Sequence, residues 1–181
     1  MTPVHRCHRT GLIAGALLCS LTGIVHAQEA VCNRVLDSML KYVNTPNHTY
    51  TTQTGSIAGG ASSSVETIHA GLNRYLMHAG KWIADPTSTE ELLEIEKEKL
   101  KSHNRQCRSI RDESVGGDGA SLYAVHSETD YGKADTQVWI SKRTGLPLKM
   151  DIKLRTNGGG ESHIASRMEY DHIQPPPALS R

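Results

Sequence analysis

Over residues 146–155, apolar and polar side chains alternate. Leu146, Leu148, Met150, Ile152 and Leu154 stand against Pro147, Lys149, Asp151, Lys153 and Arg155. A period of two sustained this long predicts a strand with one dry face and one wet face. Residues 136–141, just upstream, have the β-branched and aromatic content of a second strand. A short polar turn ending in Gly145 separates them, so the pair reads as an antiparallel hairpin. Two registers are open. A four-residue loop over 142–145 sets Trp139 opposite Leu148. A three-residue loop over 143–145, with Gly145 in the left-handed position, sets Ile140 opposite Leu148 and Val138 opposite Met150. The second matches apolar with apolar and is preferred. It puts Trp139 beside Lys149, whose methylenes can cover the ring, and leaves the leucine row as the better ligand contact.

The same reading extends along the chain. Val31, Val35, Leu36, Met39, Leu40 and Val43 recur at three and four, which predicts an amphipathic helix over 29–43. Asn44, Thr45 and Pro46 end it. Short alternating runs over 48–54, 62–70, 74–78 and 81–84 predict a meander of four strands. Asp85 and Pro86 stop the sheet. Ser88 with Glu91, or Thr87 with Glu90, fits a capping box for a second helix running to about 103. Its only apolar side chains, Leu92, Leu93, Ile95 and Leu100, predict a surface helix with one narrow stripe down. Runs over 105–115, 120–128 and 161–170 complete five more strands with the hairpin. The predicted fold class is α+β: a single domain with a large curved antiparallel β-sheet, one face wet, covered by two helices.

Residues 1–27 read as a secretory signal peptide. Arg6 and Arg9 form a basic start, an uncharged apolar run follows over 11–25, and Val25-His26-Ala27 precedes a cleavage point. A membrane anchor is the alternative, but the apolar run is short for a span. Cys19 raises a lipid-modified cysteine as a third reading. Residues 28–174 are then one domain, with a flexible proline-rich tail over 175–181. Removing Arg6 and Arg9 from the 20 basic residues leaves them one fewer than the 19 acidic ones. That balance offers nothing to nucleic acid, and no second apolar stretch is long enough to cross a bilayer. Cys32 and Cys107 remain, and in an exported chain they are expected to pair. A redox pair is the alternative, though no Cys-x-x-Cys is present.

Chemistry is thinly signalled. His48, His69, His78, His103, His126, His163 and His172 are dispersed, without metal-ligand spacing. There is no nucleophile elbow, and the glycines over 116–119 lack the lysine and following helix of a phosphate cradle. The expectation is no catalytic residue, no metal and no cofactor. What remains is an apolar concavity whose candidate lining is Tyr75, Met77, Trp82, Tyr123, Val125, Val138, Ile140, Leu148, Met150 and Ile152. On residue types alone, the same residues read rather as plain core, filled by the helices. The chain has no Phe and only 2 Trp, which is lean for an aromatic-lined site.

At Val138-Trp139-Ile140, followed by Thr144-Gly145-Leu146-Pro147-Leu148, the chain resembles the LolA-like superfamily of periplasmic lipoprotein carriers and their relatives. A leader followed directly by an amphipathic helix, the helix–meander–helix–sheet order, and a closing Tyr170-Asp171 before prolines extend the resemblance. It implies an unclosed half-barrel with helices as a lid over an apolar cavity, in the periplasm, and no catalytic residues. The implied partner is a lipid or lipoprotein acyl chain. The alternative is an envelope interaction or sensor module with a filled core and a protein partner. The absence of Phe departs from the carriers and argues against a large cavity.

Overall fold

The computed structural model describes residues 20–101 and 105–176. Most of the expected signal segment and most of the tail lie outside the described residues. α1 (Ser20–Val43) leads into β1 (Asn47–Gly55), a 3-10 turn (Ser56–Ala58), β2 (Ser63–Ala70), β3 (Asn73–His78) and β4 (Lys81–Asp85). α2 (Thr89–Lys101) follows, then β5 (Arg105–Val115), β6 (Asp118–Thr129), β7 (Gly132–Ser141), β8 (Pro147–Thr156) and β9 (Glu161–Glu169). The predicted order of helix, four strands, helix and five strands is observed. α1 includes Ala27 and Gln28, the expected cleavage point.

The nine strands form one sheet in the order β4-β3-β2-β1-β9-β8-β7-β6-β5. Every neighbouring pair is antiparallel. β4 and β5 end the sheet without bonding to each other, so it is an unclosed half-barrel. The chain's last strand therefore lies at the centre, joining the β1–β4 meander to the β5–β8 meander.

α1 lies across the inner face. Val31 and Val35 pack against Tyr123, Val138 and Ile140, the apolar stripe that the helical spacing predicts. Midway along the helix, Cys32 and Cys107 form a disulfide with Cα atoms 5.2 Å apart, tying α1 to β5. The C-terminal end is held by polar contacts. The Tyr42 and Thr49 hydroxyls are 3.0 Å apart, and Asn47 Nδ2 donates to the Thr45 carbonyl at 2.8 Å. Of the two capping boxes, Ser88 forms the observed cap, its Oγ accepting from the Glu91 amide at 3.1 Å. α2 packs mainly on α1.

Two expectations change in detail. The outer face is not uniformly wet, because Ala120, Leu122 and Trp139 form a second buried cluster there, with Val115 and Leu148 against it. The Trp139 indole donates to the Glu113 carboxylate, and Lys149 Nζ lies 4.3 Å from the ring centroid. The hairpin also combines both registers. Its loop is the four-residue one, closed by Ser141 N to the Leu146 carbonyl at 2.9 Å, with Gly145 left-handed at φ 71°. Yet Val138 pairs with Met150 and Trp139 with Lys149, as in the other register. A bulge reconciles them: Ile140 pairs with Pro147, not with Leu148. The extra residue interrupts the alternation and turns Leu148 outward, towards the Trp139 cluster.

Candidate ligand site on the inner face

Strand register determines which side chains share the inner face. One cross-strand row runs Tyr123, Val138, Met150 and Ser166. The next runs Cys107, Val125, Thr136, Ile152 and Ile164. Under α1, Tyr123, Val138 and Ile140 are closed off, at 4%, 1% and 5% exposure. Away from the helix the face opens. Val125, Met150, Ile152, Leu154 and Ile164 are only half-buried. The inner face is thus a packed core at one end and an apolar shelf at the other.

Six of the ten residues expected to line a cavity meet here: Tyr123, Val125, Val138, Ile140, Met150 and Ile152. The other four do not. Leu148 is turned outward by the bulge. Tyr75 pairs with Ile68 and Ala84, and Met77 pairs with Trp82. The inward positions of those strands belong to Thr67, Leu76 and Ile83, in register with Thr49. Tyr75, Met77 and Trp82 therefore lie on the outer face, near a stack of His48 on Tyr50 with ring centroids 4.2 Å apart. Short strands in a meander carry apolar residues at both parities, so residue type alone does not assign their face.

Sequence reasoning missed a groove beside α1. Arg34, Ser38 and Lys41 form one stripe of the helix and face Ser121, Tyr123, Ile140 and Ser141 across a cleft of about 560 Å³. Arg34 Nη1 donates to the Tyr123 hydroxyl at 3.4 Å, and Lys41 Nζ donates to the Thr144 carbonyl. The spacing of three and four was the available signal, but polar residues on a helix read first as a solvated face. A larger groove of about 840 Å³ involves the polar rows of β5–β9, including Gln106, His126, Asp135, Lys153 and His163. There His126 Nδ1 lies 2.7 Å from Asp135 and Nε2 lies 3.2 Å from Glu128.

The titrating groups have identifiable surroundings. The Asp135 hydrogen bond, reinforced by Glu128, holds the His126 pKa above its ordinary value. Burial pushes His69 the other way, with Arg74 adding to the effect. His69 Nε2 and Ser38 Oγ are buried without hydrogen-bond partners. Burial also raises the Tyr42 and Tyr170 hydroxyls. Among the described residues, no group of three or more His, Cys, Asp or Glu is arranged to hold a metal ion.

No family model and no curated protein matches the sequence. Solved structures do. A chain of the Pseudomonas aeruginosa MucA/MucB complex superposes with a TM-score of 0.55 at 14% identity, covering 84% of this chain and 61% of that one. LprF from Mycobacterium bovis gives a TM-score of 0.46 at 7% identity, over 85% of this chain and 98% of that one. A LolA superfamily protein from Nitrosomonas europaea gives 0.29 at 8% identity, over 83% and 94%. The chain spans about three fifths of the length of the MucA/MucB-complex chain that it matches. At these identities the likeness is one of fold, shared over most of this chain with the MucA/MucB-complex chain.

Proposed function

We propose that the chain is an envelope binding module that holds an acyl chain, from a lipid or a lipoprotein, on the inner face of its sheet. The observation that carries this reading is the half-buried shelf of Val125, Met150, Ile152, Leu154 and Ile164, next to a helix that covers only part of the same face. Binding is by burial. Each methylene removed from water contributes about 0.8 kcal/mol, so a long chain is held without polar contacts to its tail. An extracytoplasmic setting fits the Cys32–Cys107 bond, because such bonds persist in oxidising compartments.

The alternative is an interaction module whose inner face is core throughout. It is favoured by the tight cover of Val31 and Val35 over Tyr123, Val138 and Ile140. The MucA/MucB neighbour, a complex of two proteins by its description, adds a protein partner to that reading. Native mass spectrometry of the protein taken from its own envelope separates the two. The expected result is co-purified lipid that is lost in Ile152→Glu, with the variant keeping its far-UV circular dichroism and cooperative melting. A folded Ile152→Glu protein that still carries lipid, or a wild-type protein that carries none, would overturn the acyl-chain reading.

A further inference from the structure

We infer that the groove beside α1 receives the oxyanion of an amphiphile, a phosphate or carboxylate group, whose apolar part continues onto the inner face. The inference rests on the acyl-chain reading above and assigns the polar end of that ligand. Arg34, Ser38 and Lys41 recur at four and three on α1, so they present a guanidinium, a hydroxyl and an ammonium along one side of the cleft. Opposite them stands Tyr123; Ser121 and Ser141 also line the cleft, with their hydroxyls already donated to Asp112 and Asp118. The cleft is about 560 Å³, within the range of small-molecule sites.

Two details point to a ligand, not to a solvated helix face. Ser38 is 3% exposed, lines the cleft, and its hydroxyl has no hydrogen-bond partner. A buried hydroxyl left unpaired costs more than the apolar side chain it replaces, so a partner arriving in the cleft would recover that cost. Arg34 makes only a long contact to Tyr123, which leaves most of its fork of donors free for an oxyanion. Lys142 at the rim is neutralised by Asp112 at 2.6 Å. Asp37 also lines the cleft, one helix position from Ser38. Tyr123 and Ile140 belong both to the cleft and to the apolar cluster under α1. An apolar tail entering here therefore meets the covered end of the inner face, and reaches the shelf only where Val31 and Val35 part from Tyr123, Val138 and Ile140.

The test is calorimetric titration of the whole protein with dodecyl phosphate, neutral dodecyl maltoside and inorganic phosphate, each below any micelle concentration. The expected result is that dodecyl phosphate binds at least about tenfold more tightly than the maltoside, and far more tightly than inorganic phosphate. Arg34→Gln and Ser38→Ala bring dodecyl phosphate down to the level of the maltoside, whose own affinity they leave unchanged. Ser38→Ala removes an unpaired buried hydroxyl, so a purely structural role predicts a more stable protein with unaltered binding. Equal affinity for the two dodecyl compounds, or no response to either substitution, overturns the oxyanion site and leaves the acyl-chain reading standing. Inorganic phosphate binding as tightly as dodecyl phosphate shows an anion site without the apolar continuation, and overturns the joined site. If neither dodecyl compound binds, both readings fall.

Discussion

Trp139 and His69 show what a single position reveals and what it hides. The alternation of β7 put Trp139 beside Lys149, and the ring is found there. Its 6% exposure was not legible, because the cover comes from Ala120, Leu122 and Glu113 on other strands. His69 reads as an ordinary half-buried strand residue, yet it is 6% exposed. Its lowered pKa and the raised pKa of His126 act on stability with opposite signs. Below about 6.5, the unfolded His69 takes a proton that the folded one resists. Stability from that site is therefore full above this value and is lost as pH falls towards the folded pKa. His126 contributes fully below about 6.5, and its contribution is lost as pH rises through its raised folded pKa. Urea denaturation between pH 5 and 8 should show His69→Gln flattening the acid limb and His126→Asn flattening the alkaline one. Unchanged limbs in both variants would contradict the two assignments.

At the scale of elements, hydrophobic periodicity gave α1 its inward stripe and the nine strands their order along the chain. It missed the bulge at Ile140, since a bulge depends on how a loop closes and not on residue type. The four-residue loop closes on Ser141 and Leu146, and one unpaired residue then restores the apolar pairing further along. That bulge removes Leu148 from the inner face and narrows the site that the sequence suggests. The disulfide is the element-scale restraint. Its cysteines are 75 positions apart, and in the chain-entropy model a loop of that length stabilises the fold by about 4 kcal/mol. Replacing both cysteines with serine should lower the urea midpoint accordingly and raise amide exchange in the Val31–Val35 region of α1 above that of β7. Exchange rising equally in both would mean that the bond acts on the unfolded chain without restraining the helix.

For the whole molecule, periodicity could identify β9 as a strand but not its neighbours. Nothing in an alternating run says that residues near position 165 will pair with residues near position 50. The register makes that junction long: His48 pairs with Glu169 and Gly55 with Ser162. At Gly55, a Cβ would lie 2.4 Å from the Glu161 carbonyl oxygen, so glycine permits the close approach. A chain ending at Gly160 would keep both meanders and lose the strand between them. It should express as an aggregating species with a β-rich spectrum and no cooperative melt, because β1 and β8 then present bare edges. A soluble, cooperatively melting fragment would show instead that one meander folds alone.

The central position of β9 also bears on how the molecule is made. A chain threaded out of a narrow exit from its N-terminus delivers the keystone of the sheet last. Until then β1–β4 and β5–β8 have only each other's open edges to find, and no correct way to join. The interval between the emergence of Asn47 and of Glu169 is therefore a period of exposure, longest for the first meander made. An escort that shields strand edges during passage would act on this interval.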